Sequence, residues 1–233
     1  MAKGIIVANG TGGSPPKIVI TNFDASQRTN YVPGNQLEYT AQTQMQVGYL
    51  VEGTIDPVNN KTFTVVKVID SSPVVVTGNQ GGNISIGADK VYLVQSTGQL
   101  TGNVNVNGGV LVVDGGKATG NVSIAANSTI IASNGATIGG GTFEVSGSGT
   151  NAVIAFSDTT VNGKFSTSGI SFVNLKGNNF NGNVQSDKDE YVDIKNNTVN
   201  NNKDLTVSQV VVDCSISGNM VSGSTTLDPK CQP

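Results

Sequence analysis

Gly102-Asn103-Val104-Asn105-Val106, followed by Gly120-Asn121-Val122-Ser123-Ile124, is the stretch on which the reading of this chain turns. The same pattern stands upstream as Gly82-Asn83-Ile84-Ser85-Ile86. Degenerate copies follow at Gly141-Thr142-Phe143-Glu144-Val145, Gly163-Lys164-Phe165-Ser166-Thr167 and Gly182-Asn183-Val184-Gln185-Ser186. Weaker echoes are Asn202-Lys203-Asp204-Leu205 and Gly218-Asn219-Met220-Val221. Steps between the repeated glycines are 20, 18, 21, 22 and 19 residues. A period near 20 is too short for a propeller blade and holds no helix for a leucine-rich repeat. It fits one coil of a β-helix carrying two or three short strands. Strands such as Gly109-Val110-Leu111-Val112-Val113 and Ser128-Thr129-Ile130-Ile131-Ala132 would alternate sides, stacking one set of aliphatics into a narrow core. Val104, Val106, Val122 and Ile124 are the expected inward residues of the repeat. A thin core is expected to leave little room for aromatic rings. Gly and Asn suit the corners because they tolerate positive φ. Stacked Asn side chains, above all in residues 177–183 and 196–202, can hydrogen-bond along the axis.

Working back toward the N-terminus, the composition shifts near Pro73. Five strand-like segments precede it: Gly4-Val7, Lys17-Asn22, Leu37-Thr40, Gln46-Glu52 and Phe63-Ile69. Turn-rich stretches separate them, and Asp56-Pro57-Val58-Asn59-Asn60 suits a hairpin. Five short strands in about 70 residues fit a small closed barrel of OB type, with an SH3-like barrel as the alternative. The expected fold is therefore all-β. Residues 1–75 form an OB-like β-barrel and residues 76–233 a Gly/Asn-rich β-helix, single-chain or intertwined as a trimer. A fragment ending near Asp70 is expected to fold by itself.

Composition narrows the function. Only 12% of the 233 residues are charged, about half the usual ~25%, and Gly contributes 30 and Asn 27. There is no His, so a Ser-His-Asp triad, a Cys-His pair and any His-ligated metal site are excluded. A net charge of -3 and a pI near 4.8 argue against nucleic acid as partner, because phosphate contacts need clustered Lys and Arg. Tyr39, Tyr49 and Phe63 could form a base-stacking platform on the barrel, but core packing explains them more simply. Gly10-Thr11-Gly12-Gly13-Ser14 lacks the Gly-Lys-Ser/Thr ending of a P-loop and reads as a loop. No window of 18 apolar residues spans a bilayer, and Met1-Ala2-Lys3-Gly4-Ile5-Ile6-Val7 lacks signal-peptide grammar, which points to synthesis in a cytoplasm.

Cys214 and Cys231 are 17 residues apart, close to one coil. They could form a disulfide clamping the last coil, worth ~3 kcal/mol by loop closure, or stand as two buried thiols. A disulfide requires an oxidising final location. Two ligands without His are too few for a metal site. Charge concentrates at Asp187, Lys188, Asp189, Glu190, Asp193 and Lys195. This reads either as a carboxylate pair or calcium site, or as a polar loop leaving the coil, and the loop is the simpler account. On that account, replacing Asp187, Asp189 and Glu190 leaves stability nearly unchanged. A β-helix lyase would use an Arg or Lys base beside calcium, and the one arginine, Arg28, lies in the other domain. No catalytic residue, metal or cofactor is assigned.

The barrel pattern of Gly4 to Ile69 followed by Gly-Asn-Val-x-Val repeats from Gly82 resembles the central spike, or cell-puncturing protein, of contractile-tailed bacteriophages and related injection machines. The resemblance implies a homotrimer whose barrel docks on the baseplate hub and whose β-helix closes the tail tube. It further implies a location at the virion tail tip, assembly in the host cytoplasm and transient contact with a bacterial outer membrane. Many members carry a His-x-His iron site at the apex; the absence of His means that feature does not carry over, and the end Asp228-Pro229-Lys230-Cys231 could be closed by the disulfide instead. Two rival classes remain: a receptor-binding or polysaccharide-cleaving tail fibre, and a self-polymerising scaffold of bactofilin type.

Overall fold

The computed structural model describes residues 1–10, 15–22, 36–140 and 145–231. Residues 11–14 of the glycine-rich loop, Arg28 and residues 141–144 of the fourth repeat copy lie outside the described residues.

Five strands close into a barrel: β1 (Ala2–Ala8), β2 (Lys17–Asn22), β3 (Gln36–Thr40), β4 (Leu50–Ile55) and β5 (Thr62–Asp70). Their order around the barrel is β1-β2-β3-β5-β4. Every neighbouring pair is antiparallel except β3 and β5, which run parallel and set Tyr39 opposite Phe63. This is the OB-like arrangement, with Ile6, Ile18, Ile20, Leu37, Tyr39 and Phe63 in its core. The expected strand over 46–52 begins only at Leu50. Gly48 takes φ 89° and its N–H donates to Ile6 O at 2.8 Å, so the chain turns there before pairing.

From Val74 the chain winds through eight coils, each contributing one strand to each of three parallel eight-stranded sheets. Sheet I runs from Val74–Val76 to Asp213–Ser217, sheet II from Asn79–Gln80 to Met220–Val221, and sheet III from Ile84–Ile86 to Thr225–Thr226. The expected boundary between residues 75 and 76 falls inside the first strand of sheet I. Each coil pairs with the next coil of the same chain, so the core is closed within one chain and the intertwined alternative is not adopted.

The repeat is the ladder of sheet III. Ile84, Val104, Val122, Val145, Phe165, Val184, Leu205 and Thr225 stand in successive register. Two copies are displaced from their sequence assignment. The fourth is centred on Val145, not Phe143, and the last is at Thr225, because Met220–Val221 belongs to sheet II. Corner loops of unequal length let a matching pentapeptide occur out of register. The repeated glycine has two causes: Gly82 and Gly163 take positive φ, 87° and 84°, as expected, while a second cause acts at Gly102 and Gly120. A Cβ on Gly102 would strike the Gly82 carbonyl oxygen, and one on Gly120 would strike that of Gly102. Close approach of coils, not positive φ, requires glycine there.

Val104, Val106, Val122 and Ile124 are buried in the solenoid core. The core does hold rings: Phe156, Phe165 and Phe180 meet edge to face at 6.0 and 5.7 Å between centroids. Room for them comes from the second inward column of sheet III, where Ile86, Val106 and Ile124 give way to Gly147, Thr167 and Ser186.

The barrel lies along the flank of the solenoid. Outward-facing Val91, Leu93, Val110, Val112, Ile131 and Ala155 of sheet I bury against Ile5, Val19 and Leu50 of the barrel. Val153 and Phe172 join the barrel's own core cluster. Polar ties cross the seam: Thr129 Oγ1 donates to Thr21 O at 3.1 Å, and Lys3 pairs with Asp89 at 2.7 Å. Both faces of sheet I are thus buried, which explains the unbroken apolar run Val110-Leu111-Val112-Val113. Where the barrel's cover ends, the outward column turns polar, from Ala155 through Asn174 and Asp193 to Ser215. A barrel fragment ending near Asp70 would bare Ile5, Val19 and Leu50, which pack against sheet I in the whole chain.

Val122→Asp should cost about 3 kcal/mol or more, since it puts a charge in the closed core of a single chain. Val112→Asp, on the outer face, should cost a similar amount because the barrel covers it. Ser123→Asp, on the uncovered face, should cost less than about 1 kcal/mol. Urea denaturation of the three variants checks this; a harmless Val112→Asp would mean that the barrel does not seat on sheet I.

Candidate functional site

The charged cluster divides on folding. Asp189 is fully buried inside a coil corner. Thr167 Oγ1 and Ser186 Oγ donate to its Oδ2 at 2.6 and 2.5 Å, and the Ile170 N–H donates to Oδ1 at 2.8 Å. Burial pushes its carboxyl above the ordinary carboxylate range; the three hydrogen bonds oppose the rise and the nearby Asp187 charge adds to it. Asp187 accepts from Ser208 Oγ at 2.7 Å on the next coil, and Asp193 pairs with Lys195 at 2.8 Å. Only Asp189 turns inward, so the acidic residues do not converge on one substrate. Among the described residues, no three His, Cys, Asp or Glu side chains gather as a metal site. Asp189 is a brace between coils, and the expectation that its loss is harmless is corrected by its burial.

The corner between sheets I and II is built from asparagine. The Thr159 N–H donates to Asn178 Oδ1 at 3.0 Å, the Asn178 N–H to Asn197 Oδ1 at 2.9 Å, and the Asn197 N–H to Asn219 Oδ1 at 2.9 Å. Their amide nitrogens donate back to Phe156 O, Leu175 O and Ile194 O at 3.0, 2.9 and 2.8 Å. Each amide ties neighbouring coils while satisfying buried backbone. A second file, Asn162-Asn181-Asn200, runs along the outside at 2.8 and 3.3 Å.

Cys214 and Cys231 are joined as a disulfide. Cys214 lies on the last strand of sheet I, Asp213–Ser217, and Cys231 ends a 3₁₀ turn over Pro229–Cys231 that packs against that strand. Lys230 Nζ donates to Val210 O and Val211 O at 2.6 and 2.7 Å, and the Val210 N–H donates to Asp228 Oδ2 at 3.1 Å. Leu227 and buried Cys231 complete the apolar end of the core. The result is a cap on the final coil. Asp228 and Lys230 were not singled out in the sequence, where only their closeness to a paired cysteine marked them.

Among the described residues, depressions lie on sheet I at two places. A cleft of about 200 Å³ lies between barrel and solenoid, lined by Val7, Val19, Gln36, Ile131, Asn174 and Lys176. A groove of about 100 Å³ beyond the barrel is lined by Phe172, Tyr191, Asp193, Lys195, Asp213 and Ser215. The Phe172 and Tyr191 rings stack at 4.8 Å with their planes 10° apart. In the barrel, Tyr39 and Phe63 are buried in the core and Tyr49 packs against it. No protein-family model, curated protein or solved structure matches this chain.

Asp189→Ala should lower stability by about 2–4 kcal/mol, because two hydroxyls and an N–H lose their buried acceptor. Asp189→Asn keeps the shape and should cost less at pH 7. The folded pKa is raised, so the native state holds the proton more tightly than the unfolded chain. Wild type should therefore gain stability relative to Asp189→Asn as pH falls from neutral toward 4, the gain levelling off once pH lies below the unfolded value. Denaturant midpoints at pH 7 and pH 4 measure it; a relative loss on acidification contradicts the assignment.

Proposed function

We propose that this chain is a structural, non-catalytic spike of a contractile injection device, acting as a homotrimer at the tail tip. On this reading the barrel region meets the hub, and the capped C-terminal coils lead into the cell envelope. The observation that supports it is the unbroken ladder of eight coils ending in a disulfide-held cap. Axial load on such a rod is shared by many backbone hydrogen bonds at once, and coils spaced at about 4.8 Å give a column of about 38 Å. Flank packing adds to the stiffness by bracing the coils from Val91 to Phe172, and the last coils project beyond it. The disulfide agrees with a final location outside the reducing cytoplasm.

A second reading, a fibre that binds surface polysaccharide, is favoured by the groove at Phe172 and Tyr191, where an aromatic pair lies beside Asp193 and Asp213. An aromatic face takes the apolar side of a sugar ring, and carboxylates accept its hydroxyls.

Sedimentation equilibrium of the purified chain separates the readings. A discrete particle near three times 23.8 kDa is expected for the spike. A monomer that binds envelope polysaccharide, with binding lost in Tyr191→Ala, would replace it with the fibre.

A further inference from the structure

We infer that the C-terminal cap is a latch over a strand-addition site, and that the occupant of the opened site is the N-terminal coil of a second copy of this chain. The starting observation is the edge left by the last strand of sheet I. Among the described residues Asp213–Ser217 pairs only with Tyr191–Lys195, and at five residues it is the longest strand at either end of the solenoid. The other terminal strands have two or three residues: Met220–Val221, Thr225–Thr226, Val74–Val76, Asn79–Gln80 and Ile84–Ile86. A long open edge is a template for another chain, and proteins blunt such edges by shortening or covering them. Here the five short strands use the first device, and the 3₁₀ turn packed on Asp213–Ser217 supplies the second.

The register of the sheet identifies what fits beneath the cap. Along sheet I, Val192 is followed by Cys214 and Ile194 by Ile216 in the inward columns. At the other end the same columns begin with Val74 before Tyr92 and Val76 before Val94. A second copy placed head to tail would therefore set Val74 on Cys214 and Val76 on Ile216, apolar on apolar. The outward column would continue from Ser215 to Val75. In sheet III, Thr225 would be followed by Ile84. Apolar surface is left open at both ends: Val74 and Val75 are 42% and 47% exposed, and Val211, Val212 and Met220 are 54%, 49% and 68% exposed.

Opening the latch is a balanced exchange with a dithiol reductant. One thiolate of the reductant attacks Cys214 Sγ, the more exposed of the two, and displaces the Cys231 thiolate. The second thiol of the reductant then attacks the mixed disulfide, closing its own disulfide and releasing Cys214 as a thiol. Two electrons and two protons pass to the protein, leaving both cysteines reduced. Lys230 and Asp228 still hold the turn by hydrogen bonds to Val210 and Val211, so reduction loosens the cap and end-to-end contact displaces it.

The test uses the full chain with and without dithiothreitol, read by sedimentation and negative-stain microscopy. The oxidised protein should form one discrete particle. The reduced protein, and a Cys214→Ala/Lys230→Ala/Cys231→Ala variant, should form multiples of that particle's mass and rods lengthening in steps of about 38 Å. Val74→Glu, which alters an exposed residue at the joining face, should stay discrete after reduction. If the reduced protein and the triple variant both keep the oxidised size, the latch is refuted. Joining that survives Val74→Glu, or amorphous aggregation in its place, equally refutes it. These outcomes do not depend on whether the oxidised particle is a trimer.

Discussion

Parallel pairing between successive coils is the interaction on which everything else rests. Each strand is short, two to five residues in the solenoid, and would be unstable as an isolated pair. Stacked eight deep, strands of the inner coils pair with the coil above and the coil below, and inward side chains form continuous columns. The spacing is tight enough that Gly102, Gly120 and Gly182 cannot carry a Cβ without striking the carbonyl of the preceding coil. The Gly-Asn pairs of the repeat follow from this. Glycine admits the neighbouring backbone, and the asparagine oxygen then accepts from the next coil, as Asn83 does from the Asn103 N–H at 3.1 Å and Asn103 from the Asn121 N–H at 3.2 Å.

A solenoid normally needs only one buried face per strand. This one buries two along most of sheet I, because the barrel covers the outward side chains from Val91 to Phe172. Each fully buried aliphatic there contributes about 1.5–3 kcal/mol of transfer free energy before chain entropy is counted. The barrel is therefore a buttress as well as a module. Its hydrophobic requirement is split between an interior of Ile6, Ile18 and Phe63 and an exterior of Ile5, Val19 and Leu50.

Polar groups inside the solenoid are placed where the backbone would otherwise go unsatisfied. The Asn178-Asn197-Asn219 file binds N–H and C=O groups at a corner that no strand covers. Asp189 does the same for Ile170 and for two inward hydroxyls, at the cost of a buried charge whose pKa rises. The charged stretch around residues 187–195 thus serves several purposes: one brace to the preceding coil, one tie to the next coil, and an ion pair on the outer groove.

Local sequence determined the elements and the period. Alternating Val and Ile around 104–106 and 122–124 could bury only one face of a strand, and a step near 20 residues could close only a small coil. Turn chemistry at Asp56–Asn60 likewise marked the hairpin between β4 and β5. The unbroken run Val110–Val113 carried the signal that both faces are covered, but the surface that covers them is made by Ile5, Val19 and Leu50, far away in sequence, and no local period encodes that. The same holds for the register of the fourth and last copies, set by columns of inward side chains rather than by matching pentapeptides. Asp189 looked like a surface charge because its neighbours in sequence are charged; its burial is decided by Thr167, one coil away. Tertiary structure alone decided where the barrel sits and which charge is inside, because both depend on contacts between residues that only the stacking of coils brings together.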